Sequence, residues 1–229
     1  MFTAKKRISK KEIKQDTLVT SYYKVYNYFM GHQAKILIGA GVVALAVVAV
    51  ILFANKRSSD NLAASNLLAK VIPLYEAAQY KDAIDGQSKN NLVGLKNIVD
   101  NYGSTEQGET AKIFLANAYL FTGKQQEAFE TYEDYSGSNP LFKATALAGM
   151  GGYYETKKEF EKAADLYKEA SQITKTNPSN SEYLLKASVN LLKSGAKEEA
   201  AKLLKGIKED YKNTSAAQEV DRYLIQTES

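Results

Sequence analysis

Residues 36–54 form an uninterrupted apolar run with no charged and no strongly hydrogen-bonding side chain. A helix rises about 1.5 Å per residue, so a helix of this length matches the roughly 30 Å hydrocarbon core of a bilayer. The alternative, a core helix of a soluble domain, fails on the length of the run and on its lack of any polar face. A cleavable signal peptide would have a shorter charged region and a cleavage site between small residues. We therefore predict one uncleaved transmembrane anchor over residues 36–55.

Basic residues are concentrated on the N-terminal side of this run. Residues 1–57 carry ten lysines and arginines against two acidic residues, a net charge of +8, whereas residues 58–229 carry a net charge of −4. Only Lys56 and Arg57 of the ten follow the run. Because basic residues near the ends of a span favour the cytoplasmic side, we expect residues 1–35 to form a cytoplasmic tail and the rest to be exported. The acidic balance of the exported part argues against nucleic acid as a partner.

An amphipathic helix is predicted directly before the anchor, over residues 16–30. Asp16 or Thr17 would cap its start, and Gly31 would end it in the left-handed conformation. Tyrosine favours the headgroup layer, because its ring is apolar while its hydroxyl stays hydrated. The residues expected to form this membrane-interface face are Tyr22, Tyr23, Tyr26 and Phe29. The helix serves either as an interfacial anchor or as a docking helix for another membrane protein.

From residue 60 onward the chain has the periodicity of short, paired helices, and no stretch alternates for long at the period of a strand. Breaks between helices are expected near Gly86, Gly103, Gly123, Asn139, Lys157, Asn177, Gly195 and Asn213. Residues 213–226 are predicted to form a terminal helix that caps the last apolar face. We therefore predict an all-α domain over residues 58–229.

Three copies of one spacing pattern lie within this domain. The copies are Ala116, Tyr119, Gly123, Ala128 and Tyr132, followed by Pro140; then Gly151, Tyr154, Phe160, Ala163, Tyr167 and Ala170; and then Leu191, Gly195, Ala200, Leu204 and Ile207. A weaker first copy is predicted at Leu74, Tyr80 and Ala83, with an insertion after it. Small residues let two paired helices approach closely, and the tyrosine and leucine side chains fill the gaps between them.

This spacing resembles the tetratricopeptide repeat, and the layout of basic tail, anchor and repeats resembles the YfgM-like family of single-pass membrane proteins. The second resemblance also rests on residues 16–20, Asp-Thr-Leu-Val-Thr, and residues 98–105, Ile-Val-Asp-Asn-Tyr-Gly-Ser-Thr. It implies a membrane-anchored tetratricopeptide-repeat helical solenoid in the bacterial inner membrane, with its repeats in the periplasm. It further implies a non-enzymatic scaffold or chaperone-like subunit ancillary to the Sec translocon. Its partners would be the lipid bilayer and proteins, namely translocon components, periplasmic folding factors or exported clients.

The resemblance also implies a binding groove, because the first helix of each tetratricopeptide pair lines the concave face. Carried over position by position, the groove residues are Ile113, Asn117, Leu120, Phe121, Ala148, Gly152, Glu155, Leu185, Val189 and Leu192. They describe a mostly apolar groove with one carboxylate and one amide, which suits an apolar segment of an unfolded client or a partner's helix. The alternative is that the capping helix or the next turn covers several of them.

Catalytic residue types are scarce in the exported part. The chain has no cysteine, and its one histidine, His32, precedes the anchor. Serine–histidine hydrolysis, cysteine catalysis and zinc sites built from His or Cys are therefore unavailable there. The carboxylate pairs at Glu198–Glu199 and Glu209–Asp210 lie among lysines and are expected on exposed helix faces. We predict neither an enzyme nor a cofactor; the alternative to a translocon scaffold is a structural subunit of another membrane complex.

Overall fold

The computed structural model describes the backbone of residues 10–228 and the side chains of residues 17–227. The first nine residues of the predicted basic tail lie outside the described residues. The described chain is almost entirely helical, which confirms the predicted all-α class. It divides into two compact units, and the boundary lies between Lys56 and Arg57.

Ten helices follow one another along the described chain. They are α1 (Lys10–Glu76), α2 (Tyr80–Asp85), α3 (Leu95–Tyr102), α4 (Glu106–Phe121), α5 (Gln125–Glu133), α6 (Pro140–Thr156), α7 (Phe160–Gln172), α8 (Asn180–Ser194), α9 (Lys197–Asp210) and α10 (Ser215–Glu228). Between α2 and α3 lies a small hairpin, in which β1 (Gly86–Gln87) pairs antiparallel with β2 (Leu92–Val93) around a 3₁₀ turn. The sequence predicted an insertion at this place but not the hairpin.

Helix α1 contains the one described segment that is long and apolar enough to cross a membrane. Residues 37–54 expose every side chain, as a lipid-facing helix does. Two predicted details of its N-terminal flank are wrong. The helix begins at Lys10, so Asp16 and Thr17 lie inside it, and the backbone leaves helical values at His32 (φ −125°, ψ 16°) rather than at a left-handed Gly31. The residues on both sides of Gly31 favour the helix. A single glycine disfavours it by only about 1 kcal/mol, so the helix continues through this position.

Four turns of the second unit share one hydrogen-bond pattern. Each contains one residue with positive φ: Ala78 (57°), Gly123 (79°), Lys158 (61°) and Gly195 (88°). The following N–H donates to the carbonyl five positions earlier, from Gln79 to Leu74, from Lys124 to Tyr119, from Glu159 to Tyr154 and from Ala196 to Leu191. These turns join α1 to α2, α4 to α5, α6 to α7 and α8 to α9. The same helix pair therefore occurs four times, in the register of the four predicted sequence copies.

A fully buried alanine lies nine positions after each of these carbonyl acceptors. The four alanines, each 0% exposed, are Ala83, Ala128, Ala163 and Ala200. At one of them the carbonyl oxygen of Ala163 lies 3.3 Å from where a Cβ on Gly151 would stand. Small residues therefore do allow the paired helices to approach closely, as the spacing pattern predicted.

The apolar core of the second unit begins on α1 itself. Ala64, Leu68 and Val71 are buried and belong to one cluster with side chains from α2 to α6. At the other end, Leu204 of α9 and Val220 of α10 are fully buried in a separate cluster. Helix α10 thus covers the apolar face left by the last helix pair, as the capping prediction requires.

A buried ion cluster joins α4 to the loop that follows α5. The Lys112 Nζ lies 3.0 Å from Glu109 Oε1 and 2.9 Å from Asp134 Oδ2. Glu109 in turn accepts hydrogen bonds from the backbone N–H and the hydroxyl of Ser136, at 2.9 and 2.7 Å. Burial alone would lower the pKa of Lys112, but its hydrogen bonds to Asp134 and Glu109 outweigh burial and raise that pKa. The ammonium therefore stays charged at neutral pH and holds the loop against α4.

Candidate partner-binding face

The accessible groove residues lie on the first helices of successive pairs. Those at least partly exposed are Asn117, Leu120 and Phe121 on α4, Ala148, Gly152 and Glu155 on α6, and Val189 and Leu192 on α8. Helices α6 and α8 are neighbours, because Glu155 of one bonds Lys193 of the other. Helices α4 and α6 are linked by a side chain of α5, Tyr132, which touches both.

Ile113 and Leu185 are not accessible, and the prediction that they line an open groove is wrong. Their side chains are only 3% and 5% exposed. Ile113 belongs to the core cluster that includes residues of α1, and Leu185 belongs to the cluster completed by α10. Additional helices at the two ends of the stack therefore enclose positions that a bare set of repeats would leave open.

Tyr132 fills the space between α4 and α6. Its hydroxyl donates a hydrogen bond to Asn117 Oδ1, and its ring lies against Gly149, where a Cβ would come within 2.2 Å of it. The side chain is 2% exposed. Burial raises the pKa of Tyr132 well above its ordinary value, so the phenol remains a neutral hydrogen-bond donor.

Tyr167 occupies the corresponding place between α6 and α8. A Cβ on Gly152 would lie 3.4 Å from its hydroxyl, and the Lys186 ammonium lies 5.7 Å from its ring centre. Burial and the nearby Glu155 carboxylate raise the pKa of Tyr167. The Lys193 Nζ lies 2.6 Å from Glu155 Oε1. Burial alone would raise the pKa of Glu155, but hydrogen bonds from Lys193 and Asn190 outweigh it and lower that pKa.

Two hydrogen-bonded groups make up the set that we call the polar floor: Asn117 with Tyr132, and Glu155 with Tyr167 and Lys193. The accessible groove residues include one amide, Asn117, and one carboxylate, Glu155, and the others are apolar. A buried phenol needs a hydrogen-bond partner for its hydroxyl. The amide of Asn117 is the partner of Tyr132, and the carboxylate of Glu155 is the partner of Tyr167. Sequence reasoning treated both tyrosines as packing residues. Tyr132 and Tyr167 occupy the same position of the repeat, at which the third copy has Leu204. That shared position was the sequence signal for a hydrogen-bonded floor.

The most exposed apolar side chains of the face lie at its α2 end. Phe121 stacks on Tyr80 of α2, with ring centres 4.5 Å apart, and lies edge-on to Tyr75 at 6.5 Å. It nevertheless remains 61% exposed, and neighbouring Leu120 is 37% exposed. We call Tyr75, Tyr80, Leu120 and Phe121 the aromatic patch. The ring contacts of Phe121 are made with α1 and α2, outside its own helix pair.

The predicted membrane-interface residues lie on α1 in the first unit. Tyr22, Tyr23, Tyr26 and Phe29 are between 44% and 65% exposed. The rings of Tyr22 and Tyr26 stack with their centres 6.1 Å apart, one helical turn from each other. Such exposure is required both of an interfacial anchor and of a docking helix.

The predicted carboxylate pairs and possible metal ligands lie on the surface of the second unit or apart from one another. Among residues 17–227, no group of three or more His, Asp and Glu side chains is arranged to hold a metal. Glu198, Glu199, Glu209 and Asp210 are all exposed, as their lysine-rich surroundings indicated. The polar floor is a set of mutually satisfied groups and suits recognition of a partner.

No protein-family model, curated protein or solved structure matches the chain. The resemblance to the YfgM-like family therefore stays a prediction.

Proposed function

We propose that this protein is a membrane-anchored tetratricopeptide-repeat scaffold that holds protein partners at the outer face of the bacterial cytoplasmic membrane. The observation that carries the proposal is the fourfold turn pattern with its buried alanine, since a helix pair repeated in register is the defining unit of such solenoids. Helices α4 to α9 supply three repeats. The end of α1 and the short α2 supply a degenerate fourth.

The working surface consists of the polar floor and the aromatic patch. Asn117, Glu155 and Lys193 of the floor are accessible to a partner. Their hydrogen bonds already fix these side chains, so binding costs little side-chain entropy. The patch adds exposed apolar area at Phe121 and Leu120. Exposed aromatic anchors beside positioned polar groups suit a partner's helix or an extended segment of an unfolded client.

The partners are exported proteins, Sec translocon components or periplasmic folding factors, and the protein acts on them as an ancillary, chaperone-like subunit without catalysis. Support comes from the basic bias on the N-terminal flank, which favours export of the second unit. Anchoring by residues 36–54 would keep the binding face beside the membrane exit of the translocon.

The variant Phe121→Ser tests the binding face. Loss of the stacked contact with Tyr80 should cost about 0.5–1.5 kcal/mol in the free energy of unfolding, since the side chain is largely exposed. Association with translocon components and exported proteins should fall strongly, as measured by co-purification after gentle solubilisation. The matched control is Ile225→Ser on α10, a 70% exposed apolar residue away from this face, which should bind as the native protein does.

Two results would contradict the proposal for this surface. Equal co-purification by Phe121→Ser and Ile225→Ser would remove the aromatic patch from the binding face. Recovery of one fixed, stoichiometric set of membrane proteins, in place of translocon components and varied clients, would instead identify a structural subunit of another complex.

A further inference from the structure

A polar cavity of about 560 Å³ opens in the second unit, away from the polar floor. Its walls are the turn before α4 and the loop between α5 and α6. Hydroxyl groups of Ser104, Ser136 and Ser138 line it together with three charged side chains, Arg57, Glu106 and Glu109. The repeat packing does not explain why charges of both signs should meet at this place.

Arg57 is held at the wall of this cavity. One of its guanidinium N–H groups donates to the carbonyl of Ser104, with Nη2 and the oxygen 3.1 Å apart. A guanidinium carries five N–H donors in a planar fork. The contact with Ser104 therefore fixes the side chain and leaves donors for a second acceptor, and phosphate oxygens suit this fork well.

The two carboxylates differ in how they are used. Glu109 is already neutralised by Lys112 and accepts hydrogen bonds from Ser136. Glu106 is exposed at the first position of α4. An anion alone would be repelled by Glu106 and a cation alone by Arg57, so the cavity suits a group with a phosphate and an ammonium side by side.

Arg57 lies close in sequence to the end of the apolar run. Arg57 follows residue 54 by three positions, and three residues span at most about 11 Å. Each headgroup layer of a bilayer is roughly 5–8 Å thick. If residues 36–54 cross the membrane, Arg57 lies within or just beyond the headgroup layer.

We propose that this cavity binds the phosphoethanolamine headgroup of a membrane phospholipid, with Arg57 on the phosphate and Glu106 on the primary ammonium. The proposal rests on the membrane anchoring that the proposed function requires. A primary ammonium donates hydrogen bonds to a carboxylate, whereas the trimethylammonium of a choline headgroup has no N–H to donate. Glu106 therefore gives the site a preference for ethanolamine over choline.

The test uses the full chain in mild detergent with an equimolar mixture of phosphatidylethanolamine, phosphatidylcholine and phosphatidylglycerol of identical acyl chains. Native mass spectrometry reports which lipid the protein retains. The ethanolamine lipid should be retained at least about tenfold over the choline lipid, which corresponds to one charge-assisted hydrogen bond. Glu106→Gln should bring that ratio close to one, whereas Arg57→Gln should lower the retention of both lipids, because both carry the phosphate. Arg222→Gln, at an exposed arginine on α10, is the matched control and should keep the preference.

Several outcomes would overturn the proposal. They are equal retention of the ethanolamine and choline lipids, preferred retention of phosphatidylglycerol, a preference that survives in Glu106→Gln, and unchanged retention of both lipids by Arg57→Gln. If equimolar soluble glycerophosphoethanolamine displaces the lipid, the ligand is a soluble compound and the proposal of a membrane lipid is wrong. Glu106→Gln removes only an exposed charge. It therefore tests the preference for the ethanolamine lipid even if Arg57→Gln perturbs folding. Failure here leaves partner capture through Phe121 unaffected, so the two proposals are separable.

Discussion

Replacing Lys112 with methionine is expected to lower the free energy of unfolding of the second unit by about 3–5 kcal/mol. The substitution keeps the length of the aliphatic side chain but removes the cation between Glu109 and Asp134. Glu109 is only 7% exposed, so its charge would be left buried without a counter-ion. The loop that Ser136 ties to Glu109 would loosen with it.

Urea unfolding of residues 58–229 measures this loss, because that part contains its own core and is expected to unfold cooperatively. The matched control is Lys168→Met, whose partly exposed ammonium pairs with Asp165 and Glu199, and it should cost no more than about 1 kcal/mol. Adding Glu109→Gln to Lys112→Met should recover part of the loss, since the buried charge is then gone. A Lys112→Met loss as small as that of Lys168→Met would contradict a buried ion cluster.

Gly149→Ala is expected to destabilise the second unit by about 1–2 kcal/mol, although alanine is the better helix former. A Cβ at this position would lie 2.2 Å from the Tyr132 ring. The ring cannot move aside, because its hydroxyl is bonded to Asn117 and the side chain is buried. Either α6 shifts away from α5 or the polar floor loses this hydrogen bond.

Gly206→Ala is the matched control for this prediction. Gly206 also lies inside a helix, α9, but a Cβ there would meet nothing within 4 Å. The control should therefore gain about 0.5–1 kcal/mol, the usual benefit of removing a glycine from a helix interior. Thermal and urea unfolding of both variants should give changes of opposite sign. A stabilised Gly149→Ala would show that Tyr132 does not pack against α6 in this way.

Much of the fold could be predicted from local sequence rules. Glycine, proline and asparagine mark most of the breaks between helices, and the structure uses them as expected at Gly123, Asn139 and Gly195. Asn139 caps α6 by accepting from the N–H of Leu141, with Pro140 at the first helical position. The turn at Ala78 escaped prediction because alanine is not a turn residue. Ala78 adopts the left-handed conformation because it occupies the same position of the repeat as Gly123 and Gly195, and the residue type alone does not indicate it.

The candidate site was predictable only in outline. Spacing located Asn117, Glu155 and Phe121 on first helices, but it could not show that α10 would enclose Leu185 or that core packing would enclose Ile113. Burial of such positions depends on elements distant in sequence. The floor tyrosines and the Lys112 ion cluster depend likewise on side chains that meet across helices. Periodicity reports which face of a helix is apolar and does not report what fills the gap to the next helix.

We propose that one span displays the repeat unit on the outer face of the cytoplasmic membrane. The decisive experiment adds protease to spheroplasts that carry the full chain with distinct epitopes at its two ends. The C-terminal epitope should disappear while a membrane-protected fragment keeps the N-terminal epitope, because the basic flank favours the cytoplasm. Loss of the N-terminal epitope alone, or release of the intact chain by alkaline carbonate, would contradict it.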